Sequence, residues 1–375
     1  MPTKLFAAQI MARYSKKETG YNFCDTVKDD DWAVIIYTAG TTGTPKGVKL
    51  THQNLYTSAV NGASARDVKR TDITLAVLPL SHSFGITIMN TSFIFGNLFV
   101  LMPRFDIEET FKLIEKHKVT NFPGVPAMFG FMLFFPPEKR QKYNLSSLKN
   151  ITSGSAPLPV ETLKAFEKEF DFTITEGYGL TEASAVVSIG YYDRVIKAGS
   201  VGQPIPKTEV RIIDENDKDV PTGEVGELIV KGPNISPGYY NMPEETANTL
   251  KDRWLYTGDL ARMNEDGYLY IVERKKDLII RGGFNIYPRD VEEVLHRHPA
   301  VQEAAVIGMP DPIMGEEVKV LIVLASNTTT SDQEIIDFCR QHLSKNKCPK
   351  FIEFLASLPK STIGKILRKE LRKLA

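Results

Sequence analysis

The sequence predicts an α/β protein, with a large layered α/β domain over residues 1–275 and a small α+β domain over residues 276–375. Three observations carry that prediction. Strand-like apolar runs alternate with helical patterns through the first two thirds of the chain, the rhythm of stacked α/β layers. From about Val210 the texture changes to shorter strands separated by glycine, proline and Asp-Gly signals. The charged run ERKKD, ending at Asp277, then interrupts two apolar strands and marks a boundary near Arg274 to Asp277.

Taken in order, WAVIIY is an apolar run of strand length that leads straight into YTAGTTGTPKG, Tyr37 to Gly47. Asp106 and Glu109 stand at N-cap and N3 spacing, with Phe111 and Ile114 on one face, so a helix begins at Asp106. VTNFPGV reads as a buried strand, and Pro126 suits the first turn of the helix after it. VETLKAFEKEF is a helix with Leu163, Phe166 and Phe170 on one side, and FTITEGYGLTE is strand, then loop. EVRIID, VGELIV and GYLYIVER are short strands. DLIIRGGFNIYP is a hairpin with a Gly-Gly turn, Pro288 opens a helix over PRDVEEVLHRH, and EEVKVLIVLA is a strand. Ser331 and Glu334 form a capping-box pair ahead of IIDFCRQHL.

Composition removes several classes of function. Forty-six basic residues balance forty-six acidic ones, so the chain lacks the overall charge that drives nucleic-acid binding. Cys24, Cys339 and Cys348 are too few and too scattered for a disulfide framework or a metal site, and they suit a reducing compartment. FIFGNLFVLM and AMFGFMLFF fall short of the roughly 20 residues that span a bilayer, and read as core or as the wall of a lipophilic pocket. The first residues lack a secretory pattern, while organelle targeting stays open.

The densest chemistry lies in YTAGTTGTPKG. A glycine-rich loop after a strand turns backbone N–H groups toward an anion, and threonine hydroxyls and a lysine add donors and charge. The P-loop pattern fails here, because Pro45 precedes Lys46 and Val48 follows Gly47. Protein-kinase HRD and DFG motifs are absent as well.

YTAGTTGTPKG resembles the phosphate-binding signature of the adenylate-forming, AMP-binding superfamily. LPLSHSFG, SGSAPL, EGYGLTE, YTGDL, ERKKDLIIRGGFNIYP and PKSTIGKILR follow in the order of that family's other motifs. The resemblance runs from about Asp30 to the C-terminus and is nearest in texture to fatty-acyl and aryl-acid CoA ligases. It implies that Thr38, Gly40, Thr41, Thr42, Gly43, Thr44 and Lys46 hold the β- and γ-phosphates of ATP. Ala39 stands where a serine is usual, one hydroxyl fewer. It further implies that Thr181 meets the α-phosphate, that Glu182 holds Mg²⁺, and that Tyr178, between Gly177 and Gly179, stacks on adenine. Gly154, Ser155, Ala156 and Pro157, followed by Leu158, would line the adenine from the other side.

Asp259 and Arg274 would contact the ribose hydroxyls, and His82, with Phe84 and Gly85, would lie by the incoming carboxylate. The resemblance makes Lys365 the catalytic residue of adenylation and Lys276 the hinge about which the C-terminal domain rotates. Gly282 and Gly283 would then admit the thiol of coenzyme A. Without the family, Lys365 is one of several lysines on a solvated helical face, Glu182 is a helix N-terminal charge, and Phe122 to Phe134 is explained almost as well by core packing as by an acyl pocket.

Relatives carry a longer stretch ahead of the phosphate loop, so the resemblance implies an N-terminally shortened large domain. The expected function is an AMP-forming acid–thiol ligase that takes a carboxylic acid, most simply a fatty acid, through an acyl-adenylate to an acyl-CoA thioester. Its cofactors would be ATP, Mg²⁺ and coenzyme A, and its location cytoplasmic. Two alternatives stay open: a non-catalytic or fragmentary nucleotide-binding relative, and an adenylation enzyme that loads a carrier protein. Peripheral membrane contact and homo-oligomerisation are likewise left open; a transmembrane segment is not expected.

Overall fold

The computed structural model describes residues 26–38, 45–361 and 365–374. Its strands fall into four sheets that follow one another along the chain. β1 (Trp32–Thr38) and β2 (Lys46–Thr51) pair antiparallel, with Thr38 opposite Lys46. Thr51 ends β2 and starts the His52–Ala65 helix through a capping box, in which the Thr51 hydroxyl accepts from the Asn54 N–H and the Asn54 side chain accepts in return.

The second sheet contains β3 (Ile73–Ala76), β4 (Leu98–Leu101), β5 (Asn121–Gly124), β6 (Asn150–Ser153), β7 (Ile174–Tyr178), β8 (Ser188–Ile189) and β9 (Gln203–Pro204). Their spatial order is β4-β3-β5-β6-β7-β8-β9. β3 to β7 run parallel, whereas β8 and β9 return antiparallel. The helices packed on this sheet begin where the sequence places them. Asp106 caps Ile107–His117 by accepting from the Glu109 N–H at 2.8 Å, Pro126 opens Pro126–Phe134, and Val160–Phe170 buries Leu163 and Phe166.

Phe122, Phe129 and Phe166 are completely buried in that core and meet edge to face at 5.8 and 5.5 Å. The inward face of Phe122 to Phe134 is therefore core, and only Phe131 and Phe134 project outward. FIFGNLFVLM is likewise not one element: Gly96, at φ 68°, ends the Ser83–Phe95 helix and β4 follows.

The third sheet holds β10 (Glu209–Ile213), β11 (Gly226–Lys231), β12 (Leu250–Lys251), β13 (Trp254–Met263) and β14 (Leu269–Arg274). The fourth holds β15 (Ile279–Arg281), β16 (Phe284–Ile286), β17 (Val301–Asp311), β18 (Gly315–Leu324) and β19 (Phe351–Phe354). Gly282 and Gly283, at φ 57° and 82°, make the two-residue turn between β15 and β16, which requires left-handed backbone at both positions.

The Pro288–Leu295 and Asp332–His342 helices pack on this last sheet through Val291, Leu295 and Ile335. The terminal Arg368–Leu374 helix places Leu371 with Ala305, Ile307 and Leu321. The single 3₁₀ turn Lys275–Asp277 links β14 to β15, and so connects the third sheet to the fourth. The fold is thus a large α/β part followed by a smaller α+β part, in agreement with the sequence.

Candidate active site

Three of the motif loops lie at one edge of the parallel sheet. SHSFG follows the carboxyl end of β3, SGSAPL that of β6, and EGYGLTE that of β7, the next strand over. In open α/β sheets the carboxyl ends of the strands are where ligands bind. A Cβ added to Gly154 would sit 3.1 Å from the Phe84 ring, so the first two loops touch. A Cβ on Gly179 would come within 1.7 Å of the Ala185 carbonyl, so only glycine permits the turn between Tyr178 and the Thr181–Ala183 3₁₀ helix. Ser155 carries a left-handed φ of 69°, Ala156 is partly buried and Pro157 is exposed.

β13 supplies the next group. Between Leu260, opposite Glu227, and Tyr256, opposite Ile229, it carries two more residues than β11, and this bulge contains Gly258 and Asp259. Bulges of this kind re-aim side chains beside functional sites. Asp259 is 3% exposed, yet three polar groups surround it. Its Oδ1 lies 3.2 Å from Arg274 Nε, its Oδ2 accepts from the Tyr178 hydroxyl at 2.5 Å, and its own N–H donates to Thr257 Oγ1 at 3.1 Å. Burial and the Asp259 charge push the Tyr178 phenol far above its ordinary range, so Tyr178 remains a donor to that carboxylate.

Lys365 reaches the same place from the C-terminal part. The Ser361 N–H donates to the Lys365 carbonyl at 2.8 Å, the Lys365 N–H donates to Ser361 Oγ at 3.2 Å, and Lys360 bridges to Ile366. Burial, with Arg274, Lys276 and Arg368 nearby, lowers the Lys365 ammonium to about 8 against the pull of Asp259. Lys365 has no ion-pair partner among the described residues. A partly buried cation left so is stabilised when an anion arrives from outside.

His82 feels that same ammonium. Its pKa is lowered first by burial and then by Lys365. Nδ1 accepts from the Phe84 N–H at 3.3 Å, capping the Ser83–Phe95 helix, so the neutral ring carries its proton on Nε2. Lys276, exposed in the connecting turn, is lowered by partial desolvation and by Arg274.

A second convergence surrounds Tyr239. Its hydroxyl donates to Glu182 Oε1 at 2.9 Å, and Lys46 Nζ stands 5.3 Å from its ring centre while pairing with Glu245. Thr181 is buried beside Glu182, and the Thr38 hydroxyl donates to the Lys46 carbonyl at 3.4 Å. Lys46 and Glu182, far apart in sequence, therefore share one tyrosine. Gly40, Thr41, Thr42, Gly43 and Thr44 lie outside the described residues, as do Thr362–Gly364 beside Lys365. Gly282 and Gly283 stand apart from both convergences: the Gly282 N–H donates to the Met314 carbonyl at 2.8 Å, and Gly283 faces open space.

Sequence reasoning missed Glu245, Tyr239 and Glu176. The first two lie in a stretch without any motif. Glu176 opens EGYGLTE but is 6% exposed, accepts from the Leu158 N–H at 3.2 Å and faces Arg289 and Glu293 of the Pro288–Leu295 helix. Burial, chiefly, lifts its pKa to about 7 from 4.5. A carboxyl raised in the folded state stabilises fully below its unfolded pKa, and that contribution is lost as pH rises through 7. The shift corresponds to on the order of 3 kcal/mol. Glu176→Gln, which keeps the acceptor for Leu158, should raise Tm at pH 8 and flatten its fall between pH 5 and 7 in thermal melts. An unchanged pH dependence would show that Glu176 is not the titrating group.

A partly buried lysine and Arg274 thus gather around one buried carboxylate, Asp259, which Tyr178 ties to the end of β7, at the edge of a parallel sheet where ligands bind. The AMP-binding enzyme family matches residues 6–240, and the AMP-binding enzyme C-terminal domain matches residues 290–365. The chain belongs to the AMP-binding enzyme family.

It is 46% identical over 347 residues to the long-chain-fatty-acid–CoA ligase of Bacillus subtilis (strain 168), a match covering 92% of this chain and 62% of that protein. The chain thus spans less than two thirds of that relative's length. The crystal structure of ATP-bound MatB from Rhodopseudomonas palustris superposes with a TM-score of 0.87 at 32% identity, covering 92% of this chain and 69% of that one. The apo form of MatB, with 92% of this chain and 68% of that one covered, gives a TM-score of 0.72 at 32% identity.

Proposed function

We propose that the chain is an acid–thiol ligase that activates a carboxylic acid with ATP and passes the acyl group to coenzyme A, with release of AMP and pyrophosphate. The observation that carries this reading is the Lys365 ammonium, without an ion-pair partner among the described residues, beside His82 and the Asp259–Arg274 pair. In the first half-reaction a carboxylate oxygen attacks the α-phosphorus, the bond to the β-phosphate breaks, and pyrophosphate leaves. Both reactants are anions, so the barrier falls chiefly through fixed positive charge and oriented donors. Lys365 supplies that charge between carboxylate and α-phosphate, and Thr181 adds a hydroxyl.

Asp259 is the acceptor for the ribose hydroxyls, held by Tyr178 and Arg274, and Gly154 to Pro157 flank the base with Tyr178. Thr38 and Lys46 frame the loop that holds the departing phosphates, and Lys46 exchanges Glu245 for them. Among the described residues no cluster of His, Cys, Asp or Glu is arranged to hold a metal alone. Mg²⁺ is commonly bound by one or two carboxylates together with phosphate oxygens, and Glu182 fits that demand. When bound, the ion neutralises charge on the phosphates.

In the second half-reaction the coenzyme A thiolate attacks the acyl carbon, the carbonyl–phosphate bond breaks, and AMP leaves. We place the boundary of the two domains between residues 275 and 276, with Lys276 as pivot, and assign Gly282 and Gly283 to passage of the thiol after rotation. The higher TM-score with ATP-bound than with apo MatB supports reading the present arrangement as the adenylating one. The fatty-acid reading follows the Bacillus subtilis relative, whose name states a long-chain fatty acid.

A cytoplasmic location accords with Cys339 and Cys348 as buried free thiols. No helix among the described residues is long and apolar enough to cross a membrane. The test is acid-dependent ATP–pyrophosphate exchange with Mg²⁺, using pools of short, medium, long and aromatic acids without coenzyme A. Exchange with long-chain acids is expected; none with any pool, from folded protein that binds ATP, sinks the reading in favour of a non-catalytic nucleotide-binding chain.

A further inference from the structure

We infer that Glu273 is a positioning residue, a latch between the two parts of the chain that holds the Lys365 segment in the adenylating arrangement. The inference rests on the proposed ligase reading and goes beyond it. Glu273 lies at the end of β14, one residue before Arg274, and is buried. Two backbone N–H donors and one more distant guanidinium meet its carboxylate. Oε1 accepts from the Arg274 N–H at 2.9 Å, Oε2 accepts from the Arg289 N–H at 3.1 Å, and Arg368 Nη1 stands 3.7 Å from Oε1. Arg289 adds a second strap, because its Nη1 donates to the Ile271 carbonyl at 2.6 Å.

Arg368 is the link to chemistry. It follows Lys365 by three residues and donates Nη2 to both oxygens of Glu292, at 2.7 and 2.9 Å. Glu292 and Arg289 belong to the Pro288–Leu295 helix of the C-terminal part, whereas Glu273 belongs to the third sheet. If the C-terminal part rotates at Lys275–Asp277, the Arg368–Glu292 pair travels intact. The contacts of Glu273 with Arg289 and Arg368 must break, together with the bond from Arg289 to the Ile271 carbonyl and the one from the Val160 N–H to Glu293. Burial raises the pKa of Glu273 while Arg368 opposes the rise, so the ionised latch depends on Arg368 staying in place. One carboxylate therefore ties the position of Lys365 to the orientation of the whole C-terminal part.

Glu273→Gln keeps the size and one acceptor and removes the charge. In the full chain it should lower acid-dependent ATP–pyrophosphate exchange by roughly tenfold, within the range typical of coupling between two states. Thioester formation from supplied acyl-adenylate should be unchanged or faster. Arg368→Gln should reproduce that split, and the losses should combine less than additively in the double variant, because both substitutions remove the Glu273–Arg368 contact while Arg368→Gln also frees Glu292. Equal loss of both half-reactions, or additive losses, overturns the latch.

Hydrogen exchange separates this idea from the ligase reading. In Glu273→Gln, amides of residues 365–374 should exchange faster than in the wild type, whether or not the chain turns over. Faster exchange in a chain without exchange activity keeps the latch and discards the ligase, whereas unchanged protection discards the latch.

Discussion

Lys365→Ala should lose acid-dependent ATP–pyrophosphate exchange by roughly 10²–10³-fold, the size of effect that follows removal of one oriented group from a developing charge. It should still convert supplied acyl-adenylate to thioester at close to the wild-type rate. The argument is electrostatic. Lys365 is crowded by Arg274, Lys276 and Arg368, and only Asp259 favours its charge. Its ammonium contributes little to the folded chain and much to a transition state in which two anions are brought together. Removing it should therefore leave Tm unchanged or slightly raised. A fall in Tm of many degrees would instead make Lys365 a structural cation. Loss of both half-reactions in equal measure would contradict a role confined to adenylation.

Much of the fold was legible because its elements carry local punctuation. Asp106 with Glu109, Ser331 with Glu334, Pro126, Pro288 and the Gly282–Gly283 turn each state where an element starts or turns. β13 and β17, among the longest strands, were not legible. In β13 the alternation is broken by the bulge at Gly258 and Asp259, and in β17 the run AAVIG lacks alternation while Pro310 lies inside the strand. The site divides in the same way. Motif order points to Asp259, Arg274, Glu182 and Lys365, since each lies in a short stretch whose composition is unusual. The partners that aim them carry no signal of their own: Tyr239 and Glu245, outside every motif, orient Glu182 and Lys46, and Glu273, though it opens ERKKDLIIRGGFNIYP, reads there only as one charge in a charged run. Such partners are fixed by tertiary approach of segments tens to hundreds of residues apart, which no local pattern records.

Glu182→Gln should cost about 10²-fold or more in exchange, and the Mg²⁺ concentration giving half-maximal rate should rise at least roughly tenfold, while Tm stays unchanged. The geometry separates charge from shape at this position. Glu182 Oε1 accepts from the Tyr239 hydroxyl at 2.9 Å, and a glutamine oxygen accepts the same bond. The Ser236 N–H donates to the Glu182 backbone carbonyl at 2.8 Å, which the substitution leaves alone. The fold around Tyr239 and Lys46 is thereby preserved and only the negative charge is lost. A hard cation held by one carboxylate and phosphate oxygens depends strongly on that charge. Measuring exchange against Mg²⁺ at saturating ATP isolates the effect. An unshifted Mg²⁺ midpoint with a normal rate would remove Glu182 from the ion's surroundings and leave it as the acceptor that orients Tyr239 beneath Lys46.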